Sequence, residues 1–137
     1  MGPLWSRMGR RKMRSMATLR KEDVPLSPGV YAVYRRGKRM YVGKAKCLRD
    51  RVWDNHSGRG LTMGDSALRR NVAERLRIAK ANDIKKKLHR ITDKEEGRVR
   101  DWLDGCEITW RECADHAAAE DLETAMKAEY KPPLTKV

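Results

Sequence analysis

The chain has 137 residues, 39% of them hydrophobic and none of them Phe, which is enough for one domain with a modest core of Leu, Val, Ile, Ala, Met and Trp. A net charge of +13 makes a polyanion the expected partner, nucleic acid ahead of an acidic membrane surface, although charge alone leaves a merely basic surface open. Cys47, Cys106 and Cys113 are too widely spaced for a Cys-x-x-Cys pair and odd in number, which argues against a disulfide framework or structural zinc. No apolar run reaches transmembrane length, and the basic start has no apolar secretory core, so the expectation is a cytoplasmic protein with no membrane partner.

Residues 1–23 are rich in Lys and Arg and read as a flexible basic arm, with the domain proper over residues 24–137. "VPLSPG" is a Pro-punctuated lead-in loop. "GVYAVYRR" and "KRMYVG" are β-branched and aromatic and read as two strands of a hairpin. Arg is disfavoured at positive φ, so Arg36-Gly37 is a poor two-residue turn. A three-residue loop, Arg35-Arg36-Gly37, pairs Tyr34 with Lys38 and sets Tyr31 directly opposite Tyr41. Directly opposed residues share a face, so two phenols are expected side by side.

Residues 47–56 read as a helix with Leu48 and Val52 inward, and "SGRGLTMG" as a loop. Asp65 or Ser66 caps a longer helix whose apolar face is Leu68, Val72, Leu76 and Ala79. "TDKE" is a capping box for a helix running to about Leu103. Together these make a helical insert over about residues 60–105. "CEITWREC" alternates as a third strand with Cys106, Ile108 and Trp110 on one face. Asp115 caps a last helix, with Ala118, Leu122, Ala125 and Met126 inward, and Pro132-Pro133 ends it. The fold class is α/β (α+β): a small, three-stranded, mainly antiparallel sheet flanked by helices. Trp53, Trp102 and Trp110 are expected in the core.

The triplets Gly29-Val30-Tyr31 and Tyr41-Val42-Gly43, the following "GKAKCLRDR", and "LETAMKAEYKPPLTK" near the end together resemble the GIY-YIG endonuclease family. The resemblance covers roughly residues 26–56 and 106–136. It implies a DNA endonuclease that uses Mg²⁺ or Mn²⁺. Tyr31 and Tyr41 would bear on the attacking water, Arg51 on the phosphate and Glu123 on the metal. The chemistry is consistent: a phenol can relay a proton, guanidinium fits phosphate oxygens as a fork, and one carboxylate can hold Mg²⁺ with water and substrate supplying the rest. Each residue also has a plain reading. The tyrosines could be an ordinary cross-strand pair, Arg51 a solvated charge, and Glu123 an i, i+4 partner of Lys127. Against that last reading, Glu123 shares a helix side with Ala119, Met126 and Tyr130 and so lies on the flank of the apolar stripe.

Two departures from the family pattern stand out. One helical turn after the arginine the family often places His or Tyr. Here that position is Asn55, with His56 next, and His56 reaches the site only if the helix ends or bends; both are candidate site residues. The family's terminal asparagine is replaced by Thr135. Lys44, Lys46, Arg49, Arg69 and Arg70 are candidate nucleic-acid contacts. The leading expectation is therefore a metal-dependent DNA endonuclease with no small-molecule organic cofactor and an open oligomeric state. The alternatives are a catalytically weak or inactive nucleic-acid-binding module on the same scaffold, and an RNA-associated basic protein.

Overall fold

The computed structural model describes residues 2–56 and 66–135, with backbone alone for residues 54–56. Helix α1 spans Pro3–Gly9. Pro3 suits a helix start, where the missing N–H is not needed. The Glu129 carboxylate accepts the Leu4 amide at 3.0 Å and the Trp5 amide at 3.3 Å. Trp5 is completely buried, its indole N–H donating to the Met126 carbonyl at 2.9 Å. Arg39 lies over both the Trp5 and Tyr130 rings. Strand β1, Arg14–Ser15, follows, and Met16 and Leu19 are also buried. The basic stretch expected to be a flexible arm is thus folded onto the domain. Its anchors are Trp5 and Met8, and what they bind lies some 120 residues away.

Strand β2, Gly29–Arg35, and β3, Lys38–Ala45, form the hairpin. Its register corrects the expected one. Arg35 pairs with Lys38, and a slip between Val33 and Tyr34 leaves Tyr34 opposite Arg39, Val33 opposite Tyr41 and Tyr31 opposite Gly43. The loop has two residues, with Arg36 at φ 52° and Gly37 at φ 77°, the conformation of a type I′ turn. The observed register puts Arg36 at positive φ against its local preference.

A π-helical segment, Asp50–His56, comes next, followed by α2, Ala67–Arg75. Ser66 caps α2 by accepting the Arg69 amide at 3.2 Å. Helix α2 stops earlier than its apolar pattern suggests. Arg77 takes φ 60°, Ile78 N–H donates to Ala73 O and Arg77 N–H to Glu74 O, which is a Schellman ending made without glycine. Helix α3, Ala81–Lys85, closes the same way through Lys87 at φ 59°. Helix α4, Asp93–Asp104, starts at the expected Thr92–Glu95 capping box. Strand β4, Cys106–Glu112, and α5, His116–Glu129, capped by Asp115, complete the order.

The fold is α+β, with helices flanking an antiparallel sheet. The sheet has four strands rather than three, in the order β1-β4-β2-β3. Alternation along β2 divides the interior. Tyr31 and Val33 point into a cluster with Leu48, Val52, Leu68, Val72, Val99 and Ile108. Val30, Ala32 and Tyr34 point into a second cluster with Trp5, Met8, Val42, Ala119 and Met126. Trp53, Trp102 and Trp110 are partly buried against the first cluster. Strand β3 is an outer strand, and the end of the chain covers it. Leu134 N–H donates to Met40 O at 3.0 Å, and the Thr135 hydroxyl accepts from Val42 N–H at 3.0 Å. These bonds occupy ladder groups that an exposed edge would leave unpaired. No described helix is long and apolar enough to cross a membrane.

Candidate active site at the covered edge of the sheet

The two phenols meet, though by a different route from the one expected. Tyr31 and Tyr41 are diagonal rather than opposed, with ring centroids 5.9 Å apart and planes 30° from parallel. Diagonal neighbours on one sheet face lie within reach of aromatic side chains. Gly43, opposite Tyr31, makes this possible: a Cβ there would overlap the Tyr31 hydroxyl and its ring. Gly29 is held to glycine in the same way, since a Cβ would run into the Arg111 carbonyl and the Leu48 side chain. Both glycines of the two triplets are therefore space requirements of the hairpin.

Tyr31 is 1% exposed and Tyr41 half-buried. Burial pushes the Tyr31 phenol well above its ordinary pKa, and the nearby Tyr41 adds to the rise while the Arg51 charge opposes it. Burial also raises Tyr41. There the hydrogen bond with Tyr31 and the charges of Arg51 and Arg70 oppose the rise, and Glu123 adds to it. With both shifts upward, the two phenols carry their protons at neutral pH.

Arg51 is half-buried in the π-helical segment, which Leu48 and Val52 pin into the core. Its charge acts on both phenols. Glu123 is 8% exposed and belongs to the buried stripe Ala119, Glu123, Met126 of α5. Its carboxylate also acts on both phenols. Of the four residues expected from the sequence, Tyr31 stacks on Tyr41 and Tyr41 shares a cleft with Glu123, while the Arg51 charge acts on both phenols. The i, i+4 partner exists as well, with Lys127 Nζ 3.1 Å from Glu123 Oε1. The ion pair coexists with the place of Glu123 on the buried side of α5.

Glu123 and Tyr41 open onto a cleft of about 440 Å³, also lined by Arg70, Asn71, Glu74 and Thr135. Thr135 is buried; besides accepting from Val42 N–H, its hydroxyl lies 3.4 Å from Val42 O as a donor. One hydroxyl thus serves both backbone polar groups of Val42, the residue between Tyr41 and Gly43. Asn71 donates to Leu134 O at 2.9 Å and fastens the same tail from α2. Sequence reasoning missed Asn71. The signal was a polar residue three after Leu68 and one before Val72, on an otherwise apolar stripe.

The candidate phosphate contacts separate. Arg70 lines the cleft and Lys46 is exposed. Lys44 is 3.5 Å from Glu120, and Arg49 donates to Val24 O at 2.8 Å. Arg69 is 2% exposed and pairs with Glu96 at 3.2 Å, so its guanidinium is buried and engaged within the protein. The side chains of Asn55 and His56 lie outside the described residues, as does the loop expected over residues 57–64. The backbone of Asp50–His56 is π-helical.

Among the described residues no group of three or more His, Cys, Asp or Glu stands together. Mg²⁺ needs less: one or two carboxylates, with water and phosphate oxygens filling an octahedron of hard ligands. A low-exposure carboxylate at a cleft also lined by Tyr41 fits that requirement, and Glu123 is the residue that would hold such an ion.

A family model for the GIY-YIG catalytic domain matches residues 15–136. No curated protein matches the chain. Among solved structures, the chain is similar to the N-terminal GIY-YIG endonuclease domain of UvrC from Thermotoga maritima bound to its catalytic magnesium. Identity is 19%, covering 82% of this chain and 88% of that one, with a TM-score of 0.49. A tyrosine-to-phenylalanine point mutant and an asparagine-to-alanine point mutant of the same domain each match at 21% identity, 83% and 88% coverage and a TM-score of 0.42. The family match spans both tyrosine triplets, Arg51 and Glu123, and the chain belongs to the GIY-YIG catalytic-domain family.

Proposed function

We propose that the protein is a divalent-metal-dependent endonuclease that hydrolyses DNA phosphodiester bonds. The observation that carries this reading is that the low-exposure Glu123 carboxylate and Tyr41 line one cleft, with the Tyr31 ring stacked 5.9 Å from that of Tyr41. Glu123 would hold Mg²⁺ or Mn²⁺, which supplies charge stabilisation to the phosphate and acidifies water when bound. Arg51 and Arg70 bind non-bridging phosphate oxygens as fixed forks. Tyr41 orients the attacking water, and Tyr31, stacked against it, holds that phenol in place. Arg51 and Arg70 also oppose the rise that burial imposes on the Tyr41 phenol. Incubation of the purified protein with single-stranded, duplex and branched DNA tests the reading. Strand cleavage that needs Mg²⁺ or Mn²⁺ supports it, and intact DNA with every divalent metal contradicts it.

One observation favours a second reading, a nucleic-acid-binding module without catalysis. The Lys127 ammonium already contacts the Glu123 carboxylate at 3.1 Å, where a metal would compete with it. That reading predicts salt-dependent binding of DNA with no product.

A further inference from the structure

The function proposed above does not use the basic amino-terminal segment, which has become a built surface. Leu4, Trp5 and Met8 face the domain. Arg7, Arg10 and Arg11, at i, i+3 and i+4, share the outer side of this end of the chain and are exposed. Arg111 of β4 is exposed beside them. These four arginines line a cleft of about 400 Å³ between α1 and α5, floored by Met8, Leu122 and Met126. A second cleft of about 450 Å³ shares Arg10 and Arg11 and continues through Lys12 and Arg14 to Trp110. Arg11 Nε donates to Trp110 O at 2.7 Å, and the Arg14 guanidinium lies 5.2 Å from the Trp110 ring centroid.

No carboxylate lines either cleft, and among the described residues no acidic side chain forms an ion pair with Arg7, Arg10, Arg11 or Arg111. Packing α1 against the domain concentrates like charge. The cost of holding those charges together is relieved by a polyanion of matching spacing. On α5, Leu122 and Glu123 are successive residues, about 100° apart around the helix, on either flank of the Ala119–Met126 stripe. The basic groove and the candidate active site therefore lie on opposite flanks of one helix. Helix α1 also precedes the residues matched by the family model.

We propose that the α1–α5 groove binds a nucleic-acid phosphate backbone, as a second contact surface across α5 from Glu123. The proposal rests on the reading that the substrate is DNA. The test uses duplex DNA binding by the full chain carrying Glu123→Gln, so that cleavage does not intervene. Arg7→Gln, Arg10→Gln and Arg111→Gln are combined in that background; Arg11 is kept because it holds β4. A matched control neutralises the exposed Lys86, Lys87 and Arg90. Each phosphate contact contributes about 0.9 to the slope of log affinity against log salt, so the groove variant should lose about 2–3 of slope. Its affinity deficit should then be ~40-fold larger at 50 mM than at 200 mM salt. The control should lose far less, and both should keep the parent's circular dichroism and melting temperature. In the cutting-competent background, the groove substitutions should raise KM and leave kcat unchanged. Equal slopes for parent and groove variant overturn the proposal, as do equal losses for groove variant and control. Retained DNA binding with lost binding to phosphatidylserine vesicles would overturn it in favour of a membrane contact. Failure of wild-type cleavage alone would strike the catalytic reading and leave the groove measurement standing.

Discussion

Gly43→Ala isolates the hairpin geometry from the chemistry it supports. An alanine Cβ at this position would overlap the Tyr31 hydroxyl and come within 3.0 Å of Cε1 of the same ring. Tyr31 is 1% exposed and packed among Val33, Leu48 and Val52, so it cannot swing into solvent to make room. Overpacking of this kind costs about 1–3 kcal/mol. Displacing the ring also strains the Tyr31–Tyr41 hydrogen bond, worth about 0.5–1.5 kcal/mol net. The expected loss is about 2–4 kcal/mol, or a drop in Tm on the order of 10 °C for a domain of this size. Thermal and urea denaturation measure it. Because the clash is with one ring, Tyr31→Leu in the Gly43→Ala background should recover part of the loss, giving a coupling of at least ~1 kcal/mol in a double-mutant cycle. Strict additivity of the two substitutions, or a Gly43→Ala protein as stable as wild type, would refute the placement of Tyr31 across Gly43.

Three further outcomes follow from the same coordinates. Thr135→Val keeps the shape but leaves the Val42 N–H without its buried partner, so stability should fall by about 1–3 kcal/mol and Val42 amide exchange should accelerate; unchanged exchange would show that the tail does not cap β3. Arg36→Asn places a residue tolerant of positive φ in the Arg36-Gly37 turn and should stabilise by up to about 1 kcal/mol, measured as a rise in the urea midpoint. The buried phenols give an alkaline signature. With folded pKa values raised from the ordinary 10.0, the folded chain binds more protons than the unfolded chain above pH 10. The stabilisation is whole below that pH and drains away as pH rises through the folded values. The stability difference between wild type and Tyr31→Phe should therefore shrink from pH 9 to pH 11, and a difference that grows would invert the assigned shift.

Much of the fold was legible because it is written locally. Ser66, the Thr92–Glu95 pair and Asp115 each bond to amides within three residues, and the strand patterns of β2, β3 and β4 need only a few positions. What escaped depends on distant partners or on residues acting against type. Trp5 among arginines looks like a tail until Met126 and Glu129 close over it. Arg36, Arg77 and Lys87 take left-handed conformations that usually announce themselves as glycine. The tyrosine pairing was expected from an incorrect register. It survives because a diagonal pair over Gly43 shares the face that the opposed pair would have shared. Tyr31, Tyr41, Arg51 and Glu123 were legible because the family motifs name them. The tail contact of Thr135 was not, since a departure from the motif says what is missing and not what replaces it.

The central claim is that the Glu123 carboxylate serves a metal-dependent cutting reaction and is not simply the partner of Lys127. The direct measurement is cleavage of duplex and branched DNA in Mg²⁺ by wild type and Glu123→Gln, alongside DNA affinity and Tm for both. Cutting by wild type and a loss of about 10²-fold or more in Glu123→Gln, with affinity and Tm retained, is the predicted result. Equal cutting by the two proteins would contradict it.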